Sequence, residues 1–177
     1  MPPYAEAITR HYAQRWSPPR AEVAGGPRLR DFKVLLLDRS ADTSVHATVC
    51  MSQLQDPERL ELFLLSRRAE APMPQLVELL QALAQQHRGS PLSLGESVNF
   101  GRPWLPLSRC TRGLVSLPQL DGPPTEWMDV PRVRFLWLVP ITEAEQRLKT
   151  MRGVEALEAR FEQVAPDFLD PARASVV

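Results

Sequence analysis

Apolar and polar positions alternate along this chain with two different periods, and their order predicts its elements. The most informative stretch runs from Arg132 to Arg147, RVRFLWLVPITEAEQR. Val133, Phe135, Trp137 and Val139 alternate with Arg134, Leu136 and Leu138, so one face is bulky throughout and the other turns apolar after its first residue. That pattern predicts a central strand over Arg134 to Val139, ended by Pro140, which has no N–H to give a ladder. Thr142 stands three residues before Glu145, the spacing of a capping box, so a helix should start there. Gly153 is expected to weaken or break the helical pattern that continues over 143–164.

The same reading extends to the rest of the chain. Tyr4, Ile8, Tyr12 and Trp16 recur every four residues and predict an amphipathic helix over 4–16, stopped by Ser17-Pro18-Pro19. Phe32 to Leu37, Val45 to Met51 and Leu60 to Leu65 are strand-length apolar or alternating runs, the last two forming an antiparallel pair across a long loop. Leu76, Leu79, Leu80 and Leu83 mark a helix over 74–87, with prolines at its start and Gly89 where a cap is wanted. Ser97 to Phe100 and Gly113 to Leu117 are short strand candidates around the loop GRPWLPLSR. The expected fold is α+β, one domain over 1–177, a mixed β-sheet flanked by helices, with Trp137 and Leu80 buried.

Composition narrows the function classes. The 21 Lys and Arg balance the 21 Asp and Glu, so no global charge favours a nucleic acid or an anionic membrane. The N-terminal residues from Met1 are too polar for a signal peptide and no apolar run would span a bilayer, which points to a cytoplasmic protein. Cys50 and Cys110 lie far apart and outside any CxxC, so free thiols are expected, with one structural disulfide as the alternative. Eighteen prolines among 177 residues predict stiff loops.

Candidate chemistry is sparse. GGP at Gly25–Pro27 lacks the strand-to-helix context of a phosphate loop. Glu155, Glu158 and Glu162 are spaced as a solvated helix face, and no metal or cofactor site is expected. His11 reads as a packing or surface residue. His46 and Glu61 could meet across the strand pair as an acid/base couple, though no third orienting group is visible. Hydrolysis by Ser52 or Cys50 would need a base from among three histidines, which leaves a small hydrolase as an alternative rather than the reading. A structural homo-oligomeric subunit is the other alternative.

Several stretches together resemble the suppressor-of-fused domain family, in its single-domain bacterial form. They are VHATVCMS with the later LEL, PQLVELLQALA leading into GESVNF, LVPITEAE, GVEALEARF and the terminal RASVV. Where that family usually has a glycine before the Met-Ser pair, this chain has Cys50. The resemblance implies a role in binding another protein, since the animal member is similar to a clamp that holds zinc-finger transcription factors inactive. For bacterial relatives it implies an immunity protein that neutralises a toxin. Neither role needs catalysis. The binding candidates are an uncovered sheet edge and the loop Ser52–Arg59, with Ser52, Asp56, Arg59 and Glu61. Trp104 is either an aromatic anchor in its proline-stiffened loop or a lid on the core.

Overall fold

A computed structural model describes residues 3–53 and 55–177. Its helices are α1 (Pro3–Arg15), α2 (Pro74–Gly89), α3 (Pro123–Glu126), α4 (Glu143–Arg152) and α5 (Val154–Val164). Its strands are β1 (Ala21–Ala24), β2 (Lys33–Ser40), β3 (Thr43–Val49), β4 (Leu60–Arg67), β5 (Ser97–Asn99), β6 (Cys110–Ser116), β7 (Trp127–Asp129) and β8 (Arg132–Thr142). All eight strands share one sheet in the order β1-β2-β3-β4-β8-β6-β5, with β7 paired to β8. Every pairing is antiparallel except β4 with β8, which makes the sheet mixed.

Helices cover both faces of the sheet, which is why β4 and β8 read as nearly unbroken apolar runs. On one face Leu62, Leu64, Leu136 and Leu138 pack with Leu76, Leu80 and Leu83 of α2. On the other, Phe63, Phe135, Trp137 and Val139 pack with Ile8 and Tyr12 of α1 and Leu157 of α5. Trp137 and Leu80 are buried as the pattern predicts. His11 is a packing residue: its ring stacks on Phe135 at 4.2 Å and its Nε2 lies 3.0 Å from the Thr125 carbonyl.

Most boundaries shift by a few residues from those expected, and three of the shifts have a clear local reason. Pro140 does not end β8, which continues to Thr142 opposite β6, with Pro140 facing Gly113. Pairing of β8 with β4 stops at Trp137, and the Pro140 carbonyl accepts from Arg173 Nη2 at 2.9 Å. The missing N–H therefore faces the side that β4 has already left. β3 ends at Val49 rather than Met51 because Cys50 takes φ +63° and turns the chain out of the ladder. α2 runs through Gly89, and Ser90 caps it by donating its N–H to the Gln86 carbonyl at 2.7 Å.

The Thr142–Glu145 capping box is present in both directions. Gly153 at φ +90° breaks the helical run into α4 and α5. Its conformation is open to glycine and strained for other residues.

Candidate functional site

The loop after β3 brings together several of the residues nominated from sequence. Beyond the last β3–β4 pair, Ala47 with Phe63, the strands separate and the Thr48 hydroxyl replaces a carbonyl as acceptor of the Leu62 N–H at 2.9 Å. Glu61 fills this gap, 1% exposed, with Thr48 Oγ1 at 2.6 Å and the Met51 N–H at 3.1 and 3.2 Å from its two oxygens. Arg88 of α2 holds the outside of the turn through Nη2 to the Cys50 carbonyl at 2.8 Å and Nε to that of Met51 at 3.3 Å.

Burial dominates the Glu61 carboxyl and pushes it up to about 8, against the hydrogen bonds from Thr48, Met51 and Cys50. A neutral Glu61 can give its proton to Thr48 Oγ1 and free the Thr48 hydroxyl for Met51 Sδ, 4.0 Å away. Burial also raises the Cys50 thiol to about 11, so it is no thiolate near neutrality.

Ser52 and His87 stand 2.8 Å apart, the distance of a nucleophile and its base, but their hydrogen bonds fix the opposite polarity. His87 Nδ1 accepts the Leu92 N–H at 3.0 Å, so the proton of the neutral ring sits on Nε2 and is donated to Ser52. Ser52 Oγ also accepts the Leu60 N–H at 2.7 Å and donates to the Leu60 carbonyl at 3.0 Å. Nothing is left on Nε2 to take a proton from the serine. This pair staples Ser52 and Leu60, on either side of the turn, to α2. His46 and Glu61 do not meet, because His46 is in register with Leu64 and its Nε2 accepts the Met73 N–H at 3.1 Å. Burial lowers His46 to about 4.

The expected binding set therefore divides by depth. Ser52 and Glu61, each 1% exposed, and Trp104, 2% exposed, are interior side chains in this fold. Trp104 takes the core role, packed in the layer against α2. Asp56 and Arg59 remain near the surface, on the wall of an open cleft of about 430 Å³ at the N-terminal ends of β4 and β8. Leu54, in the same loop, lies outside the described residues. Asp56 Oδ2 accepts the Gln53 N–H at 2.7 Å and so shapes its own loop.

The same cleft is lined by residues that their sequence context did not single out. Trp127 of β7 is 39% exposed, and the guanidinium carbons of Arg132 and Arg134 lie 4.8 and 5.1 Å from its ring centroid. Arg134 binds one oxygen of Glu126 through Nε at 2.9 Å and Nη2 at 2.7 Å. Leu94, also 39% exposed, lines the same cleft over the floor made by Leu60, Leu92 and Leu136. The signal for Trp127 and its arginines was an exposed-type aromatic five residues before an Arg-x-Arg strand start, WMDVPRVR.

A larger groove of about 570 Å³ lies between the end of β4, Leu105-Pro106 and Leu169-Pro171. Arg67 and Arg68 on its rim are paired with Asp167 and Asp38, so that rim is already occupied by the chain's own charges. As for the sheet edges, β1 has four residues and β5 three, which leaves little ladder for an added strand.

A family model described as suppressor of fused protein (SUFU) matches residues 37–174. The crystal structure of a suppressor of fused homologue from Neisseria gonorrhoeae FA 1090 superposes with TM-score 0.85 at 30% identity, covering 98% of this chain and 97% of that one. Drosophila Suppressor of Fused superposes with TM-score 0.74 at 18% identity, covering 99% of this chain but 51% of the fly protein. A chain from a Sufu–Fu complex gives TM-score 0.73 at 16% identity, covering 99% of this chain and 93% of that one. These last two share the fold. Curated proteins give no significant match.

Proposed function

Since the chain belongs to the suppressor of fused family, we propose that it is a non-catalytic module, acting as one domain over 1–177 in the cytoplasm, that binds a partner protein and holds it inactive. An immunity protein that neutralises a bacterial toxin is the setting that fits this reading best. The observation that carries it is the open cleft lined both by the Asp56–Arg59 loop and by an exposed tryptophan flanked by two arginines. Tryptophan and arginine dominate the energetics of protein interfaces, and an apolar floor with a charged rim is the anatomy of a binding patch. The hydrolase alternative rests on the Ser52–His87 contact, whose polarity suits a loop staple. In the proposal Asp56 and Arg59 face the partner directly, while Ser52, Glu61 and Trp104 hold the loops that present the site.

Co-expression with the product of an adjacent toxin gene tests the function. A complex of fixed stoichiometry in light scattering, with the toxin's activity lost inside it, is the expected result. Turnover of an ester, phosphate or nucleotide substrate that disappears in His87→Asn, with no complex formed, would overturn it.

A further inference from the structure

Resting on the reading of a partner-binding module, we propose that the Trp127 cleft selects a partner segment that carries acidic and apolar side chains together. Its carboxylates would meet Arg132 and Arg134, and an apolar side chain would seat against Leu94 and Trp127. A guanidinium only donates, so its complement must be an acceptor, and a carboxylate matches its fork. Among the described residues, no carboxylate lies within 4 Å of the Arg132 guanidinium, which stacks on Trp127 instead. Arg134 shares one oxygen of Glu126 between Nε and Nη2, leaving Nη1 with no hydrogen bond among the described residues. Among the described residues, two cations around one ring are thus matched by a single carboxylate within ion-pair distance.

The apolar half of the specificity comes from the same cleft. Leu94 and Trp127 are two of its exposed large hydrophobic side chains, and both line it above Leu60, Leu92 and Leu136. The indole and the stacked guanidiniums form a flat, stiff wall that costs little side-chain entropy to bury. The charges of the cleft also argue against a polyphosphate backbone, because Asp56 and Glu58 stand in its lining. Single carboxylates on the arginine side avoid them, whereas a continuous run of phosphates would not. A basic segment would place its cations against Arg59, Arg132 and Arg134.

The test uses the full chain and three blocked peptides, alternating Asp-Leu, Asn-Leu and Lys-Leu, with a thymidine oligonucleotide as the nucleic-acid arm. The indole N–H resonance of Trp127, assigned by its loss in Trp127→Phe, is followed during each titration. The Asp-Leu peptide should shift it saturably, and Arg132→Glu should weaken that binding about tenfold or more, the equivalent of one lost charge-assisted hydrogen bond. Arg132 is an exposed residue at the start of β8, and an unchanged thermal transition verifies that the variant folds. Equal binding of the Asp-Leu and Asn-Leu peptides, unchanged binding by Arg132→Glu, or tighter binding of the oligonucleotide would each overturn the proposal. If a partner protein co-purifies undiminished with Arg132→Glu, the module reading stands and this cleft assignment falls.

Discussion

Glu61 shows how much of a residue's chemistry depends on where the ladder stops. As the one charge in an apolar strand it is visible in the sequence, but its partners are not, because they follow from the turn at Cys50 and the departure of β3 from β4. Its folded carboxyl, at about 8 against an ordinary 4.5, holds a proton that the unfolded chain has released at intermediate pH. Stability from this group is therefore complete below pH 4.5 and is lost as pH rises through 8. The buried histidines run the other way: His46, His11 and His87 are all lowered by burial from an ordinary 6.5, and their contribution is lost as pH falls. Wild type minus Glu61→Gln isolates the carboxyl. In urea denaturation from pH 5 to pH 8.5 that difference should move steadily against the wild type as pH rises, and a flat difference would show that Glu61 is ionised in the folded protein.

Elements announced by their own periodicity were legible, and those that depend on a distant partner were not. The box Thr142–Glu145 and the break at Gly153 follow from spacing within a few residues. The other half of the cap lies 28 residues downstream in Arg173, which grips Glu145 with bonds of 2.7 and 2.8 Å and so clamps the C-terminal segment to the end of β8. Burial acts against the Glu145 charge, yet Arg173 together with the Thr142 and Val176 N–H groups holds its carboxyl below the ordinary range. Glu145→Ala leaves a buried guanidinium unpaired and should cost about 3–5 kcal/mol in chemical denaturation. A loss below about 1 kcal/mol would mean that water reaches Arg173. β1 and β7 were missed because AEVA and WMD lie between prolines, in stretches that read as loop, and each is a strand only through its pairing with a longer one. With β7 went Trp127, and so did half of the cleft.

Across the whole molecule, helices on both faces of one sheet bury its apolar strands, and what remains for recognition is the ends of the strands and the loops there. Asp56 and Arg59 of the cleft lining were legible because charged residues beside a proline turn stand out locally. The sequence placed Trp104 in play and overlooked Trp127, since nothing in the residue type says which tryptophan the fold will cover. Ser52 and Glu61 were legible as unusual residues and not as interior ones, because their burial depends on α2 and α1 closing over the loop. If a partner protein is held at the cleft lined by the Asp56–Arg59 loop and Trp127, hydrogen–deuterium exchange of the chain with and without that partner should slow only in peptides spanning 55–60, 92–95 and 127–134. Slowing centred on 66–75, 105–106 and 169–171 would place the partner in the other groove and overturn this assignment.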